Sequence, residues 1–362
     1  YVSGETRLLT GGGSILLGNP GSVLSQYSSG AVLENRDNTI RGHGTLGVDM
    51  LNQGTIRAEG AQLRFSSTSI TNEGEGRIEI ASDSSLFLHN DSSITGGTLS
   101  AEPGSFIDTD GETLSLSGVN LAESSELQFS SASGRNRVDL YESLGNPGKV
   151  IFGDADSSTT AYLYPNEGDA PFILNGGGEL ILNHPASQLS QYTTGAFLEN
   201  RDNTIRGHGT LGVDMLNQGT IRAEGGIFSL QRSIQNEGLI TSTPLAMIDF
   251  NQDSQNGLII NDGILTADFG FAFDDARLSG NGIIESSSVN FVGSLLSPGS
   301  SPGALSFTGS VDLTANDDLR IELGGTSRGV TYDTIQQFGS LQLGGRLSVR
   351  FIDDFENTIT AD

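Results

Sequence analysis

A short motif recurs along the chain at nearly constant spacing. NQGTI begins at Asn52 and NEGEGRI at Asn72, twenty residues later. In the second half NQGTI begins at Asn217 and NEGLI at Asn236, nineteen residues later. An Asn-x-Gly step followed by an aliphatic residue at this period indicates a structural repeat. Repeats of this length are typical of solenoids, whose units bury their apolar faces only by stacking on one another.

The segments between these motifs predict short β-strands. TLSLSGVNL, GRIEI, LRIEL and RLSVRF place an apolar residue at every second position, and Gly, Asn or Asp bound them. No stretch sustains a helical period over three turns. We therefore predict an all-β fold, a parallel β-helix (β-solenoid) with about 20 residues per coil. Asparagines at equivalent corners would form amide ladders, and the glycines beside them would supply positive φ.

A long segment of the chain occurs twice. Residues 34–60, ENRDNTIRGHGTLGVDMLNQGTIRAEG, return unchanged as residues 199–225, at an offset of 165. The preceding residues also align at this offset. The sequence thus predicts a β-helix over residues 1–295 with an internal duplication (11–175 and 176–290). Closing coils of altered pattern are predicted over residues 296–362.

Composition excludes several classes of partner. The chain has 44 acidic and 18 basic residues, a formal charge of -26, which repels nucleic acid and anionic lipid. Without cysteine it has neither disulfides nor thiolate metal sites, which fits an exported bacterial protein. No apolar run approaches the roughly 20 residues of a membrane span. The first residues lack a signal-peptide pattern, so we expect a mature form or a piece of a longer protein.

Several coils resemble a known group of proteins. DNTIRGHGTLG, NQGTIRAEG, SITGGTLSAEPGS and LSLSGVNLAES are similar to coils of the β-helical passenger regions of large bacterial surface and secreted proteins, of the autotransporter, adhesin and haemagglutinin-repeat kind. LLSPGSSPGALSFTGSVDL resembles their closing coils. The resemblance implies a right-handed parallel β-helix located outside the cell or on the bacterial cell surface. It also implies a role as a stalk, an adhesin or a matrix component.

β-Helices also include polysaccharide lyases and glycoside hydrolases, so catalysis has to be considered. Glycoside hydrolysis needs two carboxylates that face each other across a cleft. Consecutive strand residues point to opposite faces, so adjacent acidic pairs suit turns better. These pairs are Asp274–Asp275, Asp317–Asp318 and Asp353–Asp354. Lys149, the only lysine, is also predicted in a turn. We expect no enzymatic activity, and a carbohydrate-active β-helix enzyme is the alternative.

The duplicated segment supplies the candidate binding residues. Arginine beside carboxylates can bind sugars or acidic groups, and two weak sites on one chain gain by effective concentration. The candidates are the polar residues expected to face outward: Arg36, Asp37, Arg41, His43 and Asp49, with Arg201, Asp202, Arg206, His208 and Asp214 in the second copy. The alternative is that all ten are solvated turn residues.

One acidic cluster predicts a weak calcium site. Asp108, Asp110 and Glu112 lie close together in DTDGE, beside a glycine. The segment lacks the fifth-position ligand and the distal glutamate of an EF-hand loop. We expect no other cofactor.

These observations predict a non-catalytic structural or adhesive rod of the bacterial surface or matrix. A solenoid ends in unpaired strand edges unless a cap covers them, so copies of the chain could stack end to end into filaments. The expected partners are the chain itself, surface glycans and other matrix proteins.

Overall fold

A computed structural model describes residues 1–2, 6–109, 111–131, 135–243, 246–251, 258–267, 270–299 and 301–358. These residues contain 45 short strands, numbered along the chain, and 3-10 turns at Glu167–Asp169 and Phe355–Thr358. The chain forms two compact units. Unit 1 comprises Tyr1–Leu198 and Asp202–Thr204, and unit 2 comprises Glu199–Arg201 and Ile205–Asp362.

In unit 1 the strands pair in parallel in three ladders, and each coil gives one strand to each ladder. Ladder A contains β1 (Thr6–Leu9), β4 (Val32–Asn35), β7 (Asp49–Asn52), β10 (Ser69–Asn72), β13 (Ser92–Thr95), the first parts of β16 (Thr113–Leu121) and β18 (Arg135–Gly145), β20 (Ser158–Leu163) and β23 (Gln188–Gln191). Ladder B contains β2 (Ser14–Leu17), β5 (Thr39–Gly42), β8 (Thr55–Ala58), β11 (Arg77–Ile80), β14 (Thr98–Ala101), the second parts of β16 and β18, and β21 (Phe172–Asn175). Ladder C contains β3 (Val23–Ser25), β6 (Thr45–Gly47), β9 (Gln62–Ser66), β12 (Ser85–His89), β15 (Phe106–Asp108), β17 (Glu126–Phe129), β19 (Lys149–Phe152) and β22 (Glu179–Leu182).

Unit 2 repeats this architecture with ladders D, E and F. Ladder D contains β26 (Thr210–Gly212), β29 (Ile227–Leu230), β32 (Met247–Asn251), β35 (Phe271–Asp274), β38 (Ser288–Val292), β41 (Ser310–Leu313) and β44 (Leu341–Gln342). Ladder E contains β27 (Asp214–Asn217), β30 (Ile234–Asn236), β33 (Leu258–Asn261), β36 (Arg277–Ser279), β39 (Leu295–Leu296), β42 (Asp318–Leu323) and β45 (Arg346–Phe351). Ladder F contains β28 (Thr220–Ala223), β31 (Leu239–Ser242), β34 (Ile264–Ala267), β37 (Ile283–Ser286), β40 (Ala304–Phe307) and β43 (Thr334–Gln337). β24 (Phe197–Asn200) and β25 (Thr204–Gly207) contain residues of both units.

The predicted fold class is confirmed. The coil length varies around 20 residues: Val32 pairs with Asp49, an interval of 17, whereas Val311 pairs with Leu341, an interval of 30. The extra residues lie in the corners, because the strands must stay in register to keep their hydrogen bonds. The predicted change of pattern near residue 296 stays a prediction.

The core of each unit consists of side chains stacked in register. In ladder B, Ile56 pairs with Ile40 and Ile78, and all three side chains are buried. In ladder D, Phe273 stacks on Phe250 and on Phe291, with ring centroids 5.0 Å apart in both pairs. Burying each such side chain stabilises the fold by about 1.5–3 kcal/mol. The alternating strand pattern thus becomes a continuous apolar interior.

Buried asparagines form the predicted amide ladders. In unit 1, Asn35 Nδ2 donates to Asn52 Oδ1 and Asn52 Nδ2 donates to Asn72 Oδ1, both at 2.8 Å. In unit 2 the same bonds join Asn200, Asn217, Asn236 and Asn261, at 2.8, 2.8 and 3.0 Å.

The glycines of these corners differ in what they supply. Gly74 has a φ of 56°, as predicted. Gly54 has no positive φ, so the predicted reason is wrong there. A Cβ on Gly54 would lie 2.4 Å from the Asn38 carbonyl oxygen, so this position requires glycine for the close approach of two coils.

Candidate functional site

Three tyrosines form a column on unit 1. Leu140 pairs with Leu163, and Leu163 pairs with Gln191, so the residues that follow them lie beside each other on successive coils. The Tyr141 and Tyr164 rings stack with centroids 4.6 Å apart, and the Tyr164 and Tyr192 rings with centroids 4.5 Å apart. Because the rings cover each other's faces, the column mainly rigidifies this surface. Tyr192 is 49% exposed.

An arginine and a carboxylate lie beside the column. Arg137 donates from Nε and Nη2 to the two carboxylate oxygens of Asp139, at 3.0 and 3.1 Å. The Tyr164 hydroxyl donates to Asp139 Oδ2 at 3.0 Å. The hydrogen bonds to Asp139 raise the pKa of Arg137, and burial followed by the bond to Asp139 raises the pKa of Tyr164. Arg137 therefore stays charged and its charge is balanced by Asp139.

A groove of about 420 Å³ opens next to these residues. We call it the Tyr162 groove. Arg137 lies over the Tyr162 ring, 5.1 Å from its centroid, and both residues line the groove. The remaining lining residues are small or polar: Gly111, Asn136, Ser158, Thr160, Ala186 and Gln188. Arg137, Thr160 and Gln188 share one register position on three successive strands, so the ladder fixes their order.

The Tyr162 groove combines one aromatic wall with hydroxyl and amide groups on a rigid sheet. Ligand sites commonly pair such an apolar wall with a few placed polar groups. A saccharide, with apolar C–H faces and peripheral hydroxyls, matches both. Sequence reasoning did not predict this groove. Its signal was the recurrence of tyrosine in SLYES-like strand ends, at positions 141, 164 and 192.

The arginines predicted in the duplicated segment all form ion pairs with a nearby carboxylate. Within the first copy, Arg36 and Arg41 pair at 2.7 and 2.6 Å with Glu34 and Glu59. The second copy repeats the arrangement at 2.7 Å: Arg201 with Glu199 and Arg206 with Glu224.

The aspartates of the segment accept backbone N–H groups of neighbouring coils. The pairs are Asp37 with Gly11 at 2.8 Å, Asp49 with Ser69 at 2.9 Å, Asp202 with Gly177 at 3.0 Å and Asp214 with Ser233 at 3.0 Å. Both copies thus use these side chains to hold their own coils. Ligand binding by the ten residues stays a prediction.

The two histidines lie half-buried in bends of the duplicated segment. His43 lines a second groove in unit 1, of about 260 Å³, with Gln62 and Arg64 on the next coil. At the equivalent positions after His208 the chain has Ile227 and Ser229. The segment is therefore conserved between its two copies while the residues that follow it have changed.

The predicted calcium residues do not form a cation cage. Asp108 is buried at the end of β15 and Glu112 follows a turn, while Asp110 lies outside the described residues. Over the described ranges, no group of three or more His, Asp or Glu side chains is arranged to hold a metal ion. A calcium site here stays a prediction.

The residues considered for catalysis are only partly placed as predicted. Asp275, Asp353 and Asp354 adopt positive φ in turns, whereas Asp274 ends β35 and Asp318 begins β42. The turn predicted for Lys149 is wrong. It begins β19, in register between Glu126 and Glu179, and its Nζ lies 3.7 Å from Glu126.

Carboxylates converge around one arginine of unit 1. Arg57 contacts Glu59, Glu79 and Glu102 at 3.2, 2.7 and 3.2 Å. Burial opposes ionisation of Glu79, but hydrogen bonds from Arg77 and Arg57 outweigh it and lower the pKa of Glu79. A carboxyl group held ionised in this way is a poor general acid.

No family model matches the chain, and no curated protein and no solved structure matches it either. The resemblance to bacterial passenger regions therefore stays a prediction. In the part of the chain that the structure describes, no helix is long and apolar enough to cross a membrane.

Proposed function

We propose that this chain is a non-catalytic adhesive β-solenoid of the bacterial surface or matrix that binds a saccharide in the Tyr162 groove. One observation carries the proposal. An aromatic ring, a charge-balanced arginine and several hydroxyl and amide groups line one groove on a rigid sheet.

The geometry suits binding of a sugar ring. Tyr162 has few rotatable bonds and is fixed by strand β20, so little entropy is lost when a ligand packs against it. Thr160 and Gln188 lie on the same side of the groove wall and can exchange hydrogen bonds with hydroxyls. The stacked column of Tyr141, Tyr164 and Tyr192 supports this wall from behind Asp139.

The carboxylate next to the groove argues for binding rather than hydrolysis. Asp139 is buried and accepts hydrogen bonds from Arg137 and Tyr164. Burial raises the pKa of two other carboxyl groups, Asp249 and Asp333, but both belong to unit 2. The groove therefore lacks the opposed acid and base that glycoside hydrolysis needs. End-to-end association of copies remains a second, separate prediction.

The test is a glycan array followed by titration calorimetry with the best ligand. Tyr162→Ala should weaken binding at least about tenfold, equivalent to roughly 1.4 kcal/mol. Tyr192 and Tyr27 occupy equivalent positions of the duplication, and Tyr27 is 78% exposed. Tyr27→Ala, outside the groove, is therefore the matched control and should bind like the unmodified protein.

Two results would overturn the proposal. One is that no saccharide binds, and the other is that folded Tyr162→Ala binds unchanged. Incubation with the bound polysaccharide also tests the enzymatic alternative. New reducing ends or unsaturated products would favour a hydrolase or a lyase.

A further inference from the structure

Asn136 leaves a hydrogen-bond donor unpaired at the Tyr162 groove. The residue lines the groove and is 4% exposed. Its Oδ1 accepts from the backbone N and the hydroxyl of Thr109, both at 3.0 Å. Because a backbone N–H can only donate, this contact fixes which end of the amide is oxygen.

The other end of the amide, Nδ2, is buried and has no hydrogen-bond partner. Leaving a buried donor unpaired is unfavourable, and buried polar groups in native structures normally have a partner. A ligand that brings an acceptor oxygen to Nδ2 would satisfy it. The site is thus pre-built for an acceptor.

Charge limits what that acceptor can be. Arg137 is the charged residue that lines the groove, and Asp139 already balances it. The chain as a whole carries a formal charge of -26. A carboxylate or sulfate on the ligand would therefore gain no free cation and would be repelled at long range. The acceptor has to be an uncharged oxygen.

The apolar part of the groove selects among uncharged oxygens. Ala186 contributes a methyl group and Tyr162 an aromatic ring to the lining. An acetamido substituent carries a carbonyl oxygen, which accepts without donating, together with a methyl group that needs an apolar contact. A hydroxyl group provides only the first of these two features.

We infer that the Tyr162 groove is selective for an uncharged saccharide bearing an N-acetyl group, with the acetamido oxygen bound by Asn136 Nδ2 and the sugar ring against Tyr162. This inference rests on the proposed saccharide binding and names the class of saccharide.

Two oligosaccharides of equal linkage make the test specific. Tri-N-acetylchitotriose and cellotriose differ at C2, where one has an acetamido group and the other a hydroxyl. The unmodified protein should bind the acetylated trisaccharide at least about tenfold more tightly, since a site built for a hydrogen bond rejects the analogue that leaves a buried group unpaired. Asn136→Asp keeps an oxygen for Thr109 but removes the donor, so the preference should fall below about twofold.

Asn120→Asp is the matched control, because Asn120 is exposed on β16 and does not line the groove. It should retain the full preference. If Asn136→Asp does not fold, Ala186→Leu decides instead. Ala186 is exposed, and the larger side chain should exclude the acetyl methyl and lower affinity for the acetylated trisaccharide at least fivefold.

The outcomes separate the two proposals. Binding of both trisaccharides with equal affinity, or a preference that survives in folded Asn136→Asp, overturns the selectivity while the groove remains a saccharide site. Absence of binding to any saccharide overturns the proposed function itself.

Discussion

The buried amide ladder gives the sharpest stability prediction. Asn52 is fully buried, accepts from Asn35 Nδ2 and donates to Asn72 Oδ1. Asn52→Ala removes both bonds. Asn35 keeps its bond to the Asn38 carbonyl but loses a partner for its second N–H, and the Asn72 side-chain oxygen loses its donor. Each buried group left unpaired costs about 1–3 kcal/mol, so the variant should lose roughly 2–5 kcal/mol of unfolding free energy.

Urea unfolding measures this loss, with hydrogen exchange to localise it to the coils around β7. Asn120→Ala removes an exposed asparagine from β16 of the same unit and should change the free energy of unfolding by less than about 0.5 kcal/mol. If Asn52→Ala and Asn120→Ala have equal stability, the ladder contributes no net stabilisation and the reasoning is refuted.

Asn52→Asp extends the test to pH. The new carboxylate would face the Asn72 oxygen, and burial without a charge partner raises its folded-state pKa above the unfolded value of about 3.9. Its protonated form can donate to Asn72. Stability should therefore be highest below the unfolded pKa and should be lost as pH rises through the raised folded pKa. A variant equally stable at pH 3 and pH 7 would contradict this.

Two further predictions concern ion pairs and the core. Arg57→Ala should cost about 1 kcal/mol and Arg222→Ala under 0.5, because Arg57 contacts three carboxylates while Arg222, in the part of the chain described, pairs with Glu224. The pKa of Glu79 is lowered, so the Arg57 contribution is present at neutral pH and should fade as pH falls through that lowered pKa; urea midpoints at pH 7 and pH 3 check both statements, and equal costs would contradict them. Phe273→Ala, at the centre of the phenylalanine stack, should cost about 3–5 kcal/mol by urea unfolding, and a loss below 1 kcal/mol would show that the stack does not stabilise unit 2.

The interior of this fold could be predicted because its signals are local. Alternation within four or five residues places side chains inside or outside, and Asn52 and Asn72 lie one coil apart in sequence as they do in space. Coil lengths could not be predicted in the same way. The corners carry residues outside the ladders, so nothing in the strand pattern limits them, and intervals between 17 and 30 residues result.

The Tyr162 groove was missed for that reason. Tyr141 and Tyr164 are 23 residues apart, and Tyr164 and Tyr192 are 28 apart. Their rings meet only when two corners of unequal length return the chain to one register. The duplicated segment misled in the opposite sense. Its repeated arginines and aspartates look like a surface motif, yet Arg41 and Asp49 make contacts that hold their own coils.

The asparagine ladders also have a direction. In each of their bonds the earlier residue along the chain donates and the later residue accepts, from Asn35 to Asn72 and from Asn200 to Asn261. A finished coil therefore presents an N–H to the coil that follows it, and amide dipoles aligned in this way strengthen one another. Such a template reads one way only. It favours growth of the solenoid in the order in which the chain is synthesised, and a coil inserted backwards would meet donor with donor.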